Sequence, residues 1–219
     1  MYWGLIVAVV AGGLTGWAAS WALRRGPRPA AVPAHWCAAG TAALWALVVW
    51  RLLTSGVPGW WLPVPLAVTA VAVPLVLADV RYRRLPDVLT LPAWPLTGAA
   101  VTVAAVAGPG VGLAWRAALA AALFAGAHAL VHAVAPASLG AGDVKLAGSL
   151  GGVLGATGWP AVVVAACTAA VVTAVLALAA ALLRVRRWRD GVPHGPGLLL
   201  ATCLVVVFPG AGLEVNMGS

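Results

Sequence analysis

Two aspartates, Asp79 and Asp143, stand at the ends of long apolar stretches in a chain that has only five acidic residues. Asp79 closes an apolar run that begins at Trp60, and Asp143 ends the segment Gly-Ala-Gly-Asp at 140–143. A carboxylate at the edge of a bilayer is costly unless water, a partner or a function retains it. Two carboxylates brought close together share one proton, so one can activate water while the other polarises a carbonyl group. These residues therefore predict acid/base hydrolysis at a membrane boundary.

Each aspartate also has an ordinary structural explanation. Asp79 is followed by Arg81, Arg83 and Arg84, which could neutralise an interfacial carboxylate. Asp143 follows two glycines and could serve as the N-cap of the next helix, where the helix dipole favours a negative charge. The catalytic hypothesis therefore depends on the two carboxylates meeting, since neither position requires catalysis by itself.

The composition sets the class of protein. The chain has 219 residues, of which 63% are hydrophobic and 8% are charged, so it has too few polar residues to cover a water-facing surface. We therefore expect an all-α, polytopic transmembrane helical bundle that lies in the lipid bilayer. The net charge is +8, but the basic residues form short clusters between apolar runs. That pattern indicates orientation in a membrane and no nucleic-acid partner.

Eight apolar stretches are candidate membrane spans, each near the length of about 20 residues that a bilayer requires. They lie at about 3–23, 36–54, 60–79, 88–108, 115–135, 143–158, 160–184 and 197–213. The sixth is short and rich in glycine. We divide the chain into an N-terminal transmembrane hairpin, 1–59, and a membrane core, 60–219, which holds both aspartates.

The distribution of basic residues predicts the orientation. With the N-terminus outside, only Arg51 and Arg116 of the 13 basic residues fall on the outer side. The positive-inside rule favours this arrangement. Asp79 and Asp143 then both lie at the cytoplasmic face. The first apolar segment lacks a basic N-terminal region, so we interpret it as a retained span.

Three residues near Asp143 are candidates for substrate binding. Gly140 and Gly142 have no side chain, so the backbone of an extended peptide could approach closely there. Lys145 lies two positions beyond Asp143, so the two side chains of a helix would point to different faces. Lys145 is therefore an interfacial lysine, a contact for an acidic group of the substrate, or a positive charge that keeps Asp143 ionisable.

The remaining polar residues predict no metal or cofactor site. His128 and His132 share a helical face but lack a third ligand, so polar contacts between helices are the better interpretation. The three cysteines occur singly, with no CxxC pair, and are interpreted as small core residues. Ser138 has no Gly-x-Ser-x-Gly context, so no serine-protease site is predicted. Asp87, after Pro86, is predicted to be the N-cap of the fourth span.

The sixth span carries two pairs of small residues four positions apart, which predict close packing against neighbouring helices. The pairs are Gly148 with Gly152 and Gly151 with Gly155. Tryptophans near the span ends, Trp61 among them, fit anchoring at the membrane interface.

Three motifs together resemble those of the type IV prepilin peptidases. Asp-x-x-x-x-x-Leu-Pro-Asp at 79–87 resembles the first aspartate motif of that family. Gly-Ala-Gly-Asp-Val-Lys-Leu at 140–146 resembles the second, the Gly-x-Gly-Asp motif of intramembrane aspartyl proteases. Pro-His-Gly-Pro-Gly-Leu at 193–198 resembles the element that opens the last span, although a histidine replaces the usual aromatic residue.

The resemblance covers roughly residues 60–213 and implies an aspartic endopeptidase of the bacterial cytoplasmic membrane. Such enzymes cut the short basic leader of type IV pilin-like precursors after a glycine, at the cytoplasmic face. By position, Asp79 and Asp143 are the implied catalytic pair, and no cofactor is implied. Bifunctional members also N-methylate the new terminus and carry an insertion with two CxxC pairs. The link at 24–35 has no such pairs, so methyl transfer is not expected.

Two other functions use the same residues differently. A proton-coupled transporter could use Asp79 and Asp143 as a proton relay, but it should carry acids near the bilayer midplane and two matched halves. The acids here lie at span ends, and no internal repeat is evident. A non-catalytic membrane assembly subunit would keep full function when either aspartate is replaced by asparagine.

Overall fold

The computed structural model describes residues 2–136, 139–184, 192–210 and 213. Within these ranges the chain forms eight α-helices and one short 3-10 helix, and no strand. The helices are α1 (Tyr2–Arg25), α2 (Ala34–Leu53), α3 (Pro63–Tyr82), α4 (Asp87–Ala107), α5 (Val111–Val134), α6 (Ala141–Thr157), α7 (Trp159–Leu182) and α8 (Gly195–Val207). The 3-10 helix, Gly59–Trp61, precedes α3. The expected all-α fold is confirmed.

Six of the described helices are long and apolar enough to cross a bilayer. The other two, α6 and α8, have 17 and 13 residues. At 1.5 Å per residue they extend about 26 Å and about 20 Å, less than the roughly 30 Å of a hydrocarbon core. The protein is therefore a polytopic helical membrane protein, with two short helices among its longer spans.

Helix α6 lies at the centre of the bundle. Most of its residues are buried, and it packs against α4, α5, α7 and α8. Helix α3 is the other deeply buried helix, and it packs against α2, α4 and α8. Helix α7 is apolar but largely exposed within the isolated chain, as expected for a helix whose side chains face lipid. The two helices that carry Asp79 and Asp143 are thus the inner helices of the bundle.

The glycine pairs of α6 lie where neighbouring helices approach most closely, as the sequence predicted. A Cβ atom at Gly148 would lie 2.0 Å from the Trp94 ring of α4. A Cβ atom at Gly151 would lie 2.6 Å from the Phe124 side chain of α5, and one at Gly155 would lie 2.2 Å from Ala120 Cβ. The glycines therefore allow two different helices to pack directly on the α6 backbone.

The two arginines predicted to lie apart from the other basic residues bind the C-terminal ends of the short helices. Arg116 donates hydrogen bonds to the carbonyl groups of Gly155 (2.6 Å) and Ala156 (2.9 Å) at the end of α6. Arg51 donates to the carbonyl of Val207, the last residue of α8, at 3.3 Å. The last carbonyls of a helix have no partner within that helix. A guanidinium group supplies these donors at the ends of helices that are shorter than the bilayer.

Some predictions for single residues were wrong. Trp61 is fully buried, and its indole nitrogen donates to the carbonyl of Val206 at 2.9 Å, so it joins the 3-10 helix to α8 and is not an interfacial anchor. Cys37 and Cys203 are buried as predicted, whereas Cys167 is exposed on α7. Ser138 and the basic residues 186–189 lie outside the described residues.

Candidate active site

Asp79 lies in the last turn of α3 and is almost completely buried, with 5% of its surface exposed. Its Oδ2 atom accepts a hydrogen bond from the backbone N–H of Gly195, the first residue of α8, at 3.1 Å. The helix ends at Arg83, which adopts a left-handed conformation with φ of 53° and donates its N–H to the carbonyl of Asp79. The chain therefore turns sharply just after Asp79, and the carboxylate stays inside the bundle.

Asp143 lies at the other inner helix, in the first turn of α6. The N-cap of this helix is Gly140, so the prediction of Asp143 as the N-cap was wrong by one turn. Asp143 instead accepts the backbone N–H of Gly140 through Oδ2 at 3.2 Å, as in a capping box. Its Oδ1 atom is buried and has no hydrogen-bond partner among the described groups. One oxygen holds the carboxylate in place while the other is available for chemistry.

The two carboxylates line one cavity of about 590 Å³. The cavity lies where the α1–α2, α3–α4 and α5–α6 connections meet the start of α8. It is partly open and lined by both charged and apolar groups, so water and a peptide can both occupy it.

The three candidate substrate-binding residues all line this cavity but differ in their surroundings. Gly140 is exposed at the start of α6. Gly142 packs on the α3–α4 turn, since a Cβ atom there would lie 3.0 Å from Leu85 Cβ and 3.2 Å from Leu85 O. Its lack of a side chain therefore serves close packing as well as access to the cavity.

Lys145 forms an ion pair that the sequence did not reveal. Its Nζ atom lies 2.7 Å from Oδ1 of Asp87, with both side chains about half exposed. Asp87 is the first residue of α4, preceded by Pro86 at the N-cap position, so its prediction as the N-cap was wrong. The Trp94 indole also donates to the Lys145 carbonyl at 2.7 Å. These contacts fasten the start of α6 to α4 beside the cavity.

The histidines make polar contacts between and along helices. His128 bonds the carbonyl of Phe124 at 2.8 Å, and His132 bonds the carbonyl of Leu139 at 2.6 Å. His194 lines the cavity, and its Nδ1 atom lies 3.0 Å from the hydroxyl of Thr173. Among the described residues, no group of three or more His, Cys, Asp or Glu side chains could hold a metal ion.

Two parts of the site were missed from the sequence. The Gly195 amide bonds Asp79, although only the motif around it was singled out. Gly26, Pro27 and Arg28, in the connection between α1 and α2, also line the cavity. The motif at 193–198 signalled the first contact, whereas the Gly-Pro-Arg-Pro sequence at 26–29 signals only a loop.

The fold and the site define a polytopic helical membrane protein that brings two carboxylates together at one end of its bundle. Residues 66–178, just over half of the chain, match the family model described as the type IV leader peptidase family. The chain therefore belongs to the type IV leader peptidase family, as its motifs predicted. The matched segment contains both Asp79 and Asp143. No curated protein and no solved structure matches the chain.

Proposed function

We propose that this protein is an aspartic endopeptidase that removes the leader from type IV prepilin-like precursors at the cytoplasmic face of the bacterial inner membrane. Asp79 and Asp143 are the catalytic pair in this proposal. The observation that carries it is that the inner helices α3 and α6 direct both carboxylates to one cavity at the same end of the bundle. Membership of the leader peptidase family supports the reaction class.

The surroundings of the two carboxylates support direct hydrolysis. Both carboxylates line one cavity, and two carboxylates that come close to each other share one proton. The ionised member accepts a proton from water, and the water oxygen attacks the scissile carbonyl. The protonated member donates a hydrogen bond to the carbonyl oxygen as it becomes tetrahedral. No covalent intermediate is required.

The hydrogen bonds at the site assign different tasks to the carboxylate oxygens. Oδ2 of Asp79 and Oδ2 of Asp143 each accept one backbone N–H, which fixes the orientation of each group. Oδ1 of Asp143 is buried without such a partner, so it is suited to contact the attacking water or the substrate carbonyl. Both donors that orient the carboxylates are backbone amides.

The position of the cavity suits a substrate that is part polar and part apolar. The apolar segment of a precursor stays in the bilayer and approaches from the side, while its polar leader lies in water at the end of the bundle. Gly140, Gly142 and Lys145 also line the cavity. The glycines are proposed to admit the substrate backbone, and Lys145 to contact an acidic group of the substrate. We place the N-terminus outside and the cavity at the cytoplasmic face, because the basic residues are concentrated at the cavity end. N-methylation is not part of the proposal.

The test is cleavage of a candidate precursor by purified protein carrying Asp79→Asn or Asp143→Asn. Each change keeps the size of the side chain and removes its acid/base function, so we expect cleavage to fall at least a hundredfold, as for loss of a general acid or base. Asp190→Asn makes the same chemical change outside the two aspartate motifs and is the control. Helical content should stay as in wild type. Cleavage retained by either active-site variant would remove that residue from the mechanism.

A further inference from the structure

One wall of the cavity comes from outside the segment that matches the family model. Gly26, Pro27 and Arg28 line the cavity together with both aspartates, yet the match begins only at residue 66. These three residues belong to the connection between α1 and α2. The N-terminal hairpin therefore contributes directly to the site.

This connection is fastened to the turn that follows Asp79. The Arg84 guanidinium donates to the carbonyl of Arg28 at 3.0 Å and also to the carbonyl of Pro29. The Tyr82 hydroxyl donates to the carbonyl of Ala31 at 2.8 Å. Since Tyr82 and Arg84 lie three and five residues beyond Asp79, the same turn that ends the helix of Asp79 also holds the wall.

The connection is also ordered by its own contacts. Ala30 donates its backbone N–H to the carbonyl of Leu23 at 2.8 Å, and Arg24 donates to the carbonyl of Val32 at 3.3 Å. Ala30 and Val32 are buried, with 0% and 2% of their surfaces exposed. Two small apolar residues thus anchor the connection in the bundle while residues 26–28 face the cavity. A wall held in this way is in place before a substrate arrives.

We propose that the α1–α2 connection at 26–29 is the wall against which the polar leader of the precursor binds, and that Arg84 and Tyr82 are positioning residues for that wall. The inference rests on the proposed peptidase function. An apolar mature segment remains in the bilayer, so the part of the precursor on the other side of the scissile bond must lie at the water-facing end of the cavity. The connection at 26–29 joins two membrane spans and so lies at a water-facing end of the bundle, and its residues 26–28 line the cavity.

The first test separates substrate positioning from folding. Tyr82→Phe removes one hydrogen bond to the connection and Arg84→Ala removes two. Each should raise KM for the precursor about three- to tenfold while kcat stays within twofold of wild type. Arg84→Lys keeps one donor and should restore part of the affinity. Arg25→Ala is the matched control, because Arg25 stacks on Trp21 outside the cavity wall.

A raised KM with unchanged kcat supports the proposal that the connection at 26–29 binds the leader. An unchanged KM overturns the proposal. A decrease that affects only kcat, or only the yield of folded protein, also overturns it. In that case Arg84 and Tyr82 only stabilise the bundle.

The second test detects the leader directly. The photo-reactive residue p-benzoylphenylalanine is introduced at position 27 in the Asp143→Asn background. The probe is a synthetic precursor with a short basic leader, a glycine before the cleavage site and an apolar mature segment. Illumination should crosslink position 27 to the leader. The same residue at position 115, an exposed site on α5 outside the cavity, is the control.

The crosslinking experiment distinguishes leader binding at the wall from the proposed peptidase function. Crosslinking to the leader, with no cleavage by the wild-type protein, would support the wall and contradict the proposed function. Cleavage by the wild type, with no crosslink or with a crosslink only to the mature segment, would contradict the wall and leave the proposed function standing.

Discussion

The backbone N–H of Gly195 donates a hydrogen bond of 3.1 Å to Oδ2 of Asp79, a residue 116 positions earlier in the chain. Gly195 is the first residue of α8, so its amide belongs to the donors at a helix start that have no partner within the helix. The buried carboxylate therefore accepts an N–H group of the helix end that would otherwise lack a partner, and this hydrogen bond orients the carboxylate. This contact joins the motif at 193–198 to the first aspartate motif.

Substitution of Gly195 by alanine should disturb this contact without changing any charged group. An added Cβ atom would lie 2.7 Å from Asp79 Oδ2 and 3.1 Å from Leu85 Cδ2, so the carboxylate must move. Loss of a buried hydrogen bond to a charged group costs roughly 1.5–3 kcal/mol, which is roughly a ten- to hundredfold loss in rate if it acts in the transition state. We expect cleavage to fall by that amount while helical content stays constant.

The matched control for this prediction is Gly126→Ala. Gly126 also lies in a helix, but an added Cβ atom there meets nothing within 4 Å. Alanine is favoured over glycine within helices, so this variant should be at least as stable as wild type and fully active. Equal activity of the two alanine variants would show that the Asp79 contact is dispensable.

The sequence predicted much of the fold because a lipid environment restricts the backbone structures that the chain can adopt. Long apolar runs must become helices in lipid, where every backbone group needs a partner within the chain. The glycine pairs of α6 predicted close packing for the same reason, since only small residues let backbones approach. The two aspartates were evident because acids are rare in this chain and costly at those positions.

The missed contacts depend on which helices become neighbours. The bond between Gly195 and Asp79 and the ion pair between Lys145 and Asp87 each connect segments separated by other helices. The role of Arg116 depends on the packing of α5 beside the end of α6, which the short length predicted for the sixth span does not give by itself. The wall at 26–29 could not be predicted because a short loop sequence does not indicate which cavity the loop will border.

The ion pair between Lys145 and Asp87 gives a prediction that separates two roles of Lys145. Both side chains are about half exposed, so the pair should contribute less than about 1 kcal/mol to folding. If Lys145 acts mainly by fastening α6 to α4, then Lys145→Ala, Asp87→Asn and the double variant should have the same reduced cleavage rate. The double-mutant cycle in low salt measures this coupling. A KM increase confined to Lys145→Ala would instead indicate direct contact with the substrate.

His194 gives a prediction about pH. Burial lowers the pKa of His194 below its ordinary value. The unfolded chain then binds a proton near pH 6.5 that the folded protein does not bind, so stability decreases as the pH falls through that range. Thermal unfolding in detergent at pH 7.5 and pH 5.5 measures this contribution when wild type is compared with a variant that lacks the histidine.

A variant without His194 isolates the contribution of this histidine to the pH dependence of stability. His194→Phe supplies the aromatic residue that the family resemblance implies, and between pH 7.5 and pH 5.5 it should lose less stability, or gain more, than wild type does. It also removes the contact with Thr173, so its stability at pH 7.5 should be slightly lower. His35→Phe, at an exposed position, is the control. An identical pH dependence in wild type and His194→Phe would assign the effect to other groups.

Arg116 should matter for stability and not for substrate binding. Its guanidinium serves two carbonyl groups at the end of α6, far from the cavity-lining residues. Arg116→Ala leaves both acceptors without that donor and should destabilise the protein by about 1–3 kcal/mol. Thermal unfolding measures the loss, and KM for the precursor should be unchanged. Arg81→Ala, an exposed arginine, is the control, and equal unfolding temperatures for the two variants would contradict the capping role.

The glycines of α6 give the most local test of the packing, because two of them differ sharply in their surroundings. At Gly155, an added Cβ atom would lie 2.2 Å from Ala120 Cβ and 2.9 Å from the backbone oxygen of Arg116, and neither atom can move without shifting α5. At Gly152, the nearest atoms are Ala121 Cβ and Ala117 O at 3.5 Å and 3.6 Å, which are ordinary contacts. Gly155→Ala should therefore lower the unfolding temperature measurably, through overpacking that costs about 1–3 kcal/mol. Gly152→Ala should be neutral or slightly stabilising, since it fills space without strain and favours the helix. Equal destabilisation by both variants would mean that α5 and α6 do not pack in the register described, and the support of Asp143 by that interface would have to be reconsidered.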